Sequence, residues 1–167
     1  ATIGLELIED LPTLDAVLVQ ASGGGLLSGI ASAVKQLKPS VRVIGVNAER
    51  SDGIMVSLAK GAVTPSATDS IADGLGAAQP GNLNFEYIKK YVDDFVSVTE
   101  PEIVEATQLA GQRAKLVVEP SGAVSLGALL SGKSGLTGKR VAANLTGGTV
   151  EAGQLAWSGH GEVRGQK

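Results

Sequence analysis

Three short turns rich in glycine, serine and threonine are the places in this sequence where backbone and side chains could bind a ligand. They cover residues 22–25, 121–122 and 146–148, and each follows a segment that the sequence predicts to be a strand. The carboxyl ends of parallel strands meet at one edge of a sheet, which is where open α/β sheets bind ligands. The sequence therefore predicts one ligand site built from three separate parts of the chain.

The first of these turns, with the sequence Ser-Gly-Gly-Gly at residues 22–25, leads directly into a predicted helix. Glycine lets the backbone approach a ligand closely, and the free N–H groups and dipole of a helix N-terminus favour an anion such as a phosphate. A tight turn whose glycines serve only packing is the alternative. No lysine follows as in a P-loop, which excludes nucleoside-triphosphate chemistry of that kind. The spacing of Gly23, Gly25 and Gly29 also loosely matches the dinucleotide fingerprint, with Glu49 as its ribose-binding acid.

The residues around this turn predict the elements that would position it. A short apolar run at residues 15–20 predicts a strand buried on both faces, and apolar residues at helical spacing predict a helix over residues 26–37. A second buried strand is predicted at residues 41–46, which completes a right-handed βαβ unit. The predicted fold class is therefore α/β, with a parallel sheet flanked by helices in three layers.

The rest of the chain continues this pattern. Thr99 and Glu102 form a capping-box sequence at the start of a predicted helix, and Pro120 suits the first turn of another. Residues 1–150 are predicted to form one α/β domain, and the polar, glycine-rich residues 151–167 a C-terminal tail. The other predicted elements are a helical stretch at 55–60, an irregular loop at 61–84 with a short turn at 71–75, strands at 95–98, 116–118 and 140–145, and a helix that ends at 130.

The composition excludes several classes of protein. Of the 167 residues, 43% are hydrophobic and 19% are charged, which suits a domain with a sizeable core. A net charge of −3 and an aromatic content of 3% argue against nucleic acid as a partner. With no cysteine and a single histidine, disulfide scaffolds, zinc clusters and thiol nucleophiles are nearly excluded. No apolar run approaches the ~18 residues of a membrane span, so we expect a cytoplasmic protein with no membrane partner.

Six motifs, taken in order, resemble those of one enzyme family. They are Thr-Ile-Gly-Leu-Glu from residue 2, Ser-Gly-Gly-Gly-Leu-Leu-Ser-Gly from 22, Ile-Ala-Asp-Gly from 71, Val-Asp-Asp from 92, Leu-Val-Val-Glu-Pro-Ser-Gly-Ala from 116 and Leu-Thr-Gly-Gly from 145. The sequence is similar to threonine dehydratases and serine racemases, which are pyridoxal-phosphate enzymes of fold type II. The resemblance implies that the chain is the carboxyl-terminal, large-domain part of such an enzyme, with pyridoxal 5'-phosphate as its cofactor.

The resemblance also implies which residues hold the cofactor. Residues 22–25 would cradle its phosphate, Gly74 would lie beside its ring, and the hydroxyl of Thr146 would meet the pyridine nitrogen where the family has a serine. A hydroxyl cannot keep that nitrogen protonated as a carboxylate would, so a weaker electron sink is expected. Glu119 would stand close to the substrate, although a carboxylate is also favoured near any helix N-terminus. The predicted cofactor-binding residues are Ser22, Gly23, Gly24, Gly25, Leu26, Gly74, Glu119 and Thr146, with Leu26 standing where the family often has a fourth glycine.

Other residues of the family have no counterpart in this sequence. The Schiff-base lysine and a serine on the opposite face of the cofactor lie before the segment that matches residue 2, and none of the nine lysines follows the expected motif. We therefore predict no catalytic residue in this chain and expect it to be inactive without the missing N-terminal half or a partner chain, within a homo-oligomer. The racemase branch binds a divalent metal through Glu and Asp, and Asn47 and Gly53 stand at those positions, so no metal site is predicted.

By this resemblance, the intact enzyme would remove water and then ammonia from a small β-hydroxy amino acid such as threonine or serine. Three alternatives stay open on the sequence alone: a fragment of a serine racemase-type enzyme, a dinucleotide-binding domain, and a non-catalytic half that acts only by assembly.

Overall fold

The computed structural model describes residues 1–150, in which helices and strands alternate along much of the chain. The helices are α1 (Thr2–Asp10), α2 (Gly25–Leu37), α3 (Gly53–Lys60), α4 (Asn82–Tyr91), α5 (Glu100–Leu109) and α6 (Pro120–Leu130), and the strands are β1 (Ala16–Gln20), β2 (Arg42–Ala48), β3 (Asp94–Val98) and β4 (Val141–Ala143). The strands form a four-stranded parallel sheet in the order β3-β2-β1-β4. A 3₁₀ turn at Asp73–Leu75 and a π-helical turn at Ala110–Ala114 join the regular elements. None of the helices in this range is both long and apolar enough to cross a membrane.

Helices cover both faces of the sheet, so the predicted three-layer α/β fold is confirmed. Val17 and Val19 of β1 pack in one hydrophobic core with residues of α2 and α4. Leu18, between them, packs in the opposite core with residues of α5 and α6. All three side chains are fully buried, which is why this strand is apolar without alternation. Burying each such side chain stabilises the fold by about 1.5–3 kcal/mol.

The parallel pairing of β1 with β2 brings the carboxyl ends of these strands together. Ala16 pairs with Arg42 and Gln20 with Val46, so the chain leaves both strands at the same edge of the sheet. The helix α2 ends at Leu37, two residues before Pro39, because the residue before a proline disfavours helical backbone. The predicted βαβ unit is thus present with boundaries shifted by one or two residues.

The predicted capping box at the start of α5 is present. The hydroxyl of Thr99 accepts from the Glu102 N–H at 3.4 Å, and the Glu102 carboxylate accepts from the Thr99 N–H at 2.7 Å. Lys133 Nζ also lies 2.7 Å from Glu102 Oε2. Burial of this carboxyl opposes its ionisation, but the hydrogen bonds from Lys133 and Thr99 outweigh burial and lower the pKa of Glu102.

The prediction of a strand at residues 116–118 is wrong. After α5 the chain makes the π-helical turn, and Lys115 then adopts a left-handed backbone with φ of 59°. The N–H of Leu116 donates back to the carbonyl of Ala110 at 3.1 Å, and Leu116 and Val117 are exposed. The backbone thus turns away from the sheet before these apolar residues could join it.

Two helices of the structure, α1 and α4, were not predicted from the sequence. The last strand has other boundaries than predicted, and the predicted tail cannot be compared with the structure. Helix α1 lies in the first motif, and α4 begins at Asn82, inside the predicted loop at residues 61–84. The last strand is shorter than predicted, at Val141–Ala143. The predicted tail at residues 151–167 lies outside the described residues.

Candidate functional site

A pocket of about 390 Å³ lies at the carboxyl end of β1, between α2 and α6. All eight residues predicted to bind the cofactor line this pocket. The structure therefore brings the three turns together, as the sequence predicted, although residues 121–122 lie in the first turn of α6 rather than after a strand. Ser121, from the predicted turn at residues 121–122, also lines the pocket, and three further lining residues were missed by the sequence analysis: Gln20, Leu75 and Ala77.

The glycine loop, residues 22–25, and the first residues of α2 carry a row of backbone N–H groups without an acceptor in the described part of the protein. In the part of the chain that the structure describes, no N–H group of residues 23–27 donates to an acceptor in the protein. These groups stand at the N-terminus of α2, where the helix dipole adds partial positive charge. Neutral donors at the positive end of a helix are an arrangement that binds phosphate.

The shape of this loop depends on glycine at position 24 and on the start of α4. Gly24 has a φ of +87°, and a Cβ atom built on it would stand 2.8 Å from Ile88 Cδ1 and 3.0 Å from Asn84 Cβ. The carbonyl of Gly23 accepts from Asn84 Nδ2 at 2.8 Å and from the Gly81 N–H at 3.0 Å. Asn84 was missed because its segment was predicted to be loop. These contacts turn the carbonyl of Gly23 toward α4 and hold the loop open.

Ser121 and Ser22 attach the segment that carries Gly74 to the pocket. The hydroxyl of Ser121 accepts from the Gly74 N–H at 2.8 Å and lies 3.4 Å from Asp73 Oδ1, to which it can donate. The hydroxyl of Ser22 accepts from the Ala77 N–H at 3.2 Å. Two serines from different turns thereby hold one irregular segment against the ligand site.

Glu119 is the only charged residue among those that line the pocket within the described range. It is half-buried, and its carboxylate accepts from the Thr149 N–H at 3.2 Å. Although Glu119 occupies the N-cap position of α6, its side chain makes no capping hydrogen bond. Oε1 instead lies 3.3 Å from the position that a Cβ atom on Gly74 would take. The carboxylate therefore stands over the Gly74 wall of the pocket.

The hydroxyl of Thr146 is contacted from the sheet side by Gln20, the last residue of β1. Gln20 is buried, and its Nε2 lies 3.2 Å from Thr146 Oγ1. The same nitrogen donates to the carbonyl oxygens of Gly122 at 3.0 Å and Asn144 at 2.8 Å. The signal that could have identified Gln20 is a single polar residue at the end of an otherwise apolar strand.

The pocket has free backbone donors and the hydroxyl of Thr146, but among the described residues no basic side chain lines it. No lysine, arginine or histidine is among its lining residues in the described range. Within residues 1–150, this site therefore has no amine or imidazole that could remove a substrate proton.

Asn47 and Gly53 stand at the two positions that correspond to metal ligands in the racemase branch, and neither residue has a carboxylate. Asn47 is fully buried, and its Nδ2 donates to the carbonyl of Ser51 at 3.2 Å. A Cβ atom on Gly53 would overlap the carbonyl oxygen of Ala78, so no larger residue fits there. Among residues 1–150 no three His, Cys, Asp or Glu side chains form a group that could hold a metal.

The acid required by the dinucleotide alternative does not belong to the pocket. Glu49 follows β2 but is exposed and is not among the lining residues.

Comparison with known proteins defines the class of this chain. The family described as "Pyridoxal-phosphate dependent enzyme" matches residues 1–147, and the chain belongs to this family. It is 42% identical over 155 residues to the L-threonine ammonia-lyase of Thermotoga maritima, which covers 92% of this chain and 38% of that protein. It is 40% identical over 158 residues to the catabolic L-threonine dehydratase TdcB of Escherichia coli K12, which covers 93% of this chain and 48% of that protein.

Solved structures with the same fold include a threonine deaminase from T.th. and the serine racemase of maize. Both superpose with a TM-score of 0.85 at 36% identity. The match covers 90% of this chain and 57% of the deaminase, and 92% of this chain and 48% of the racemase. The predicted family and fold are confirmed, and the chain spans 38% to 57% of the length of these relatives.

The residues of the pocket fit the cofactor of this family. The unpaired N–H groups of residues 23–27 suit a phosphate, and the backbone at Gly24 leaves no room for a side chain beside it. The prediction of pyridoxal phosphate is thus confirmed for the family, while the contacts of the eight individual residues stay a prediction.

Proposed function

We propose that this chain is the cofactor-anchoring part of a β-hydroxy amino acid dehydratase and that it binds pyridoxal 5'-phosphate in the pocket at the end of β1. The observation that carries the proposal is the convergence of the glycine loop, Gly74, Glu119 and Thr146 on a single cavity of about 390 Å³. A helix N-terminus on one side and a hydroxyl on the other match a ligand with a phosphate and a ring nitrogen.

In this proposal the phosphate is held by neutral donors rather than by basic side chains. The N–H groups of residues 23–27 would hold the phosphate, and the dipole of α2 would stabilise the negative charge. The hydroxyl of Thr146 would hold the ring nitrogen. Gly74, which has no side chain, would leave room for the ring, and the carboxylate of Glu119 would stand near it.

When bound, pyridoxal phosphate supplies an aromatic ring that accepts the electron pair left on Cα when the substrate loses its proton. The residues described above orient that ring. The base that removes the proton would come from a part of the protein outside residues 1–150, since the pocket has no amine or imidazole. The overall reaction eliminates water from threonine or serine, and a water molecule then hydrolyses the resulting imine to a 2-oxo acid and ammonia; racemisation of serine is the alternative.

The partner in this proposal is the remainder of a longer enzyme. Among the described residues, the outer edge of β4 pairs with no strand, and native proteins usually cover or block an exposed sheet edge. Leu116 and Val117, which precede α6, are 47% and 60% exposed. A further part of the polypeptide, or a partner chain, would cover this edge and contribute the lysine. A cytoplasmic homo-oligomer completes the proposal, and size-exclusion chromatography with cell fractionation tests that part.

Cofactor binding is tested on the 167-residue chain by equilibrium dialysis with pyridoxal 5'-phosphate and with pyridoxal. Saturable binding at one site, with much weaker binding of pyridoxal, is the expected result because the cradle recognises the phosphate. Equal binding of the two compounds would contradict a phosphate site at the glycine loop.

The reaction is tested on the longer enzyme that carries this chain, supplied with L-threonine and L-serine. A dehydratase forms 2-oxobutanoate and pyruvate together with ammonia, whereas a racemase forms D-serine. D-serine without 2-oxo acid would favour the racemase alternative, and no turnover of either amino acid would contradict both.

A further inference from the structure

The start of α4 binds the glycine loop through the carbonyl group of Gly23. This oxygen accepts from Asn84 Nδ2 at 2.8 Å and from the Gly81 N–H at 3.0 Å. A carbonyl oxygen has two lone pairs, so both are engaged by these two donors. Neither Asn84 nor Gly81 lines the pocket, and the Gly23 oxygen is therefore turned away from it.

The direction of this carbonyl also fixes the direction of the next N–H group. The Gly23 carbonyl and the Gly24 N–H belong to one peptide unit, which is planar and trans, so the two bonds point in opposite directions. Gly24 lines the pocket, and its N–H group has no acceptor within residues 1–150. With the carbonyl held against α4, this N–H group is directed into the pocket.

The peptide unit between Gly23 and Gly24 has a second possible orientation. Rotating it by half a turn changes ψ of Gly23 and φ of Gly24 and leaves the chain on either side nearly in place, as between turns of type I and type II. Gly24 has a φ of +87°, and the rotation would make this angle negative. The carbonyl oxygen would then face the pocket and repel an anion. Because glycine populates positive and negative φ about equally, the hydrogen bonds of the carbonyl decide between the two orientations.

We propose that Asn84 is a positioning residue that holds this peptide unit, so that the Gly24 N–H points into the pocket and the loop selects an anion. The Gly23 carbonyl can only accept, so the atom of Asn84 that faces it is the amide nitrogen. The inference rests on the proposed function, in which the anion is the phosphate of pyridoxal phosphate. Asn84 acts through the backbone of Gly23 and Gly24 and does not itself line the pocket.

The first test is Asn84→Leu, which removes the donor and keeps a side chain of similar size. Equilibrium dialysis measures the affinities for pyridoxal 5'-phosphate and for pyridoxal. The ratio of the two affinities should fall about tenfold in this variant, as expected when a hydrogen bond to a charged group is lost. The affinity for pyridoxal, which has no phosphate, should stay unchanged. A purely structural role would instead weaken the binding of both compounds.

Asn82→Leu is the matched control. Asn82 is the same type of residue in the first turn of α4, but it is exposed and its side chain makes no hydrogen bond within residues 1–150. This variant should keep the wild-type ratio of affinities. Both variants are checked by thermal unfolding, and Asn84→Ala serves if Asn84→Leu does not fold.

The direction of the Gly24 N–H group is tested by proton–nitrogen NMR of the isotope-labelled chain. Adding pyridoxal 5'-phosphate to the wild type should move the Gly24 amide proton to lower field, because a hydrogen bond to a charged phosphate is short and strong. In Asn84→Leu this shift should be much smaller, even at a ligand concentration that saturates the site. Asn82→Leu should show the wild-type shift.

The outcomes separate this inference from the proposed function. If the wild-type chain binds neither compound, or binds both equally, the proposed phosphate site fails and the inference falls with it. If the wild type prefers pyridoxal phosphate but a folded Asn84 variant keeps either that preference or the Gly24 shift, the role of Asn84 is overturned while cofactor binding stands. An equal loss of affinity for both compounds would overturn it as well.

Discussion

Gly122, in the first turn of α6, lies directly beneath the backbone of Thr146. A Cβ atom built on Gly122 would overlap the Thr146 carbonyl oxygen and stand 2.9 Å from Val118 Cγ1. The absence of a side chain at position 122 is thus what allows the segment after β4 to pass over α6 and bring Thr146 to the pocket.

Gly122→Ala should therefore destabilise the fold and weaken cofactor binding together. Overpacking of this kind costs about 1–3 kcal/mol, and moving Thr146 away from the pocket removes its contact with the ring. Urea unfolding and dialysis with pyridoxal phosphate measure the two effects. Gly111→Ala is the control, because its Cβ atom would have its nearest neighbour at 3.9 Å. A Gly122→Ala variant with wild-type stability would contradict the close approach.

Gly24→Ala should lower both stability and the affinity for pyridoxal phosphate. Gly24 has a φ of +87°, and the added Cβ atom would stand 2.8 Å from Ile88 Cδ1. A left-handed residue other than glycine costs about 1–2 kcal/mol, to which the contact with Ile88 adds.

A matched control separates the backbone effect from the effect on the pocket. Gly61 also has a positive φ, +68°, but a Cβ atom there would meet nothing within 4 Å. Gly61→Ala should show only the backbone cost in thermal unfolding and leave cofactor affinity unchanged. If the two variants lose the same stability and neither loses affinity, the glycine loop is not the phosphate cradle.

Thr146→Val removes the hydroxyl and keeps the shape of the side chain. Losing one hydrogen bond of about 0.5–1.5 kcal/mol should weaken binding of pyridoxal phosphate by about two- to twelvefold, with a similar unfolding temperature. Thr146→Ser should retain the wild-type affinity because it retains the hydroxyl. Wild-type affinity in Thr146→Val, measured by the same dialysis, would remove Thr146 from the cofactor site.

The charge of Glu102 should make a contribution to stability that is lost in acid. Hydrogen bonds from Lys133 and Thr99 outweigh the effect of burial and hold the pKa of Glu102 below its ordinary value of 4.5. A carboxyl whose pKa is lowered by folding stabilises the protein above its unfolded pKa, and this contribution disappears as the pH falls through the folded pKa.

Glu102→Gln, which can keep the capping box, should therefore unfold more easily than the wild type at neutral pH. The difference should shrink as the pH falls below about 4.5, as followed by urea unfolding over a series of pH values. Glu86→Gln, at a carboxylate that is 66% exposed, should change little. A Glu102→Gln difference that stays constant between neutral pH and acid would show that the charge is not responsible.

Divalent metal ions should not stabilise this chain. The amide of Asn47 already bonds to the Ser51 carbonyl, and Gly53 has no space for a carboxylate side chain. Adding Mg²⁺ or Mn²⁺, or removing metals with EDTA, should leave the unfolding temperature unchanged. An ion that bound the native state would raise it with concentration, and such a rise would contradict this prediction.

Much of the fold could be predicted because it depends on local patterns. The apolar run of β1, the helical spacing in α2 and the capping box of α5 are signals within ~15 residues of sequence, and all three correspond to elements of the structure. Leu116 and Val117 have the composition of a strand, but the left-handed backbone of Lys115 and the π-helical turn before it direct them away from the sheet. Composition does not encode that change of direction.

Some residues of the candidate site could be predicted from local sequence motifs, and others are recognised only in the folded structure. The glycine loop and the turns at Gly74, Glu119 and Thr146 stand out as motifs, and all of them line the pocket. Gln20 and Asn84 do not stand out, because each acts through a partner at least 61 positions away in the sequence. Such contacts exist only once the helices have packed against the sheet.

The sequence by itself determined the α/β class, the family and the residue types of a phosphate-binding loop, because these follow from periodicity and short motifs. Only the tertiary structure decided which side chains face each other across the pocket. The orientation of the Gln20 side-chain amide at the wall of the pocket depends on two carbonyl groups, from α6 and from the end of β4, to which its Nε2 donates. Their positions are set by packing across the whole sheet, and no local stretch of sequence specifies them.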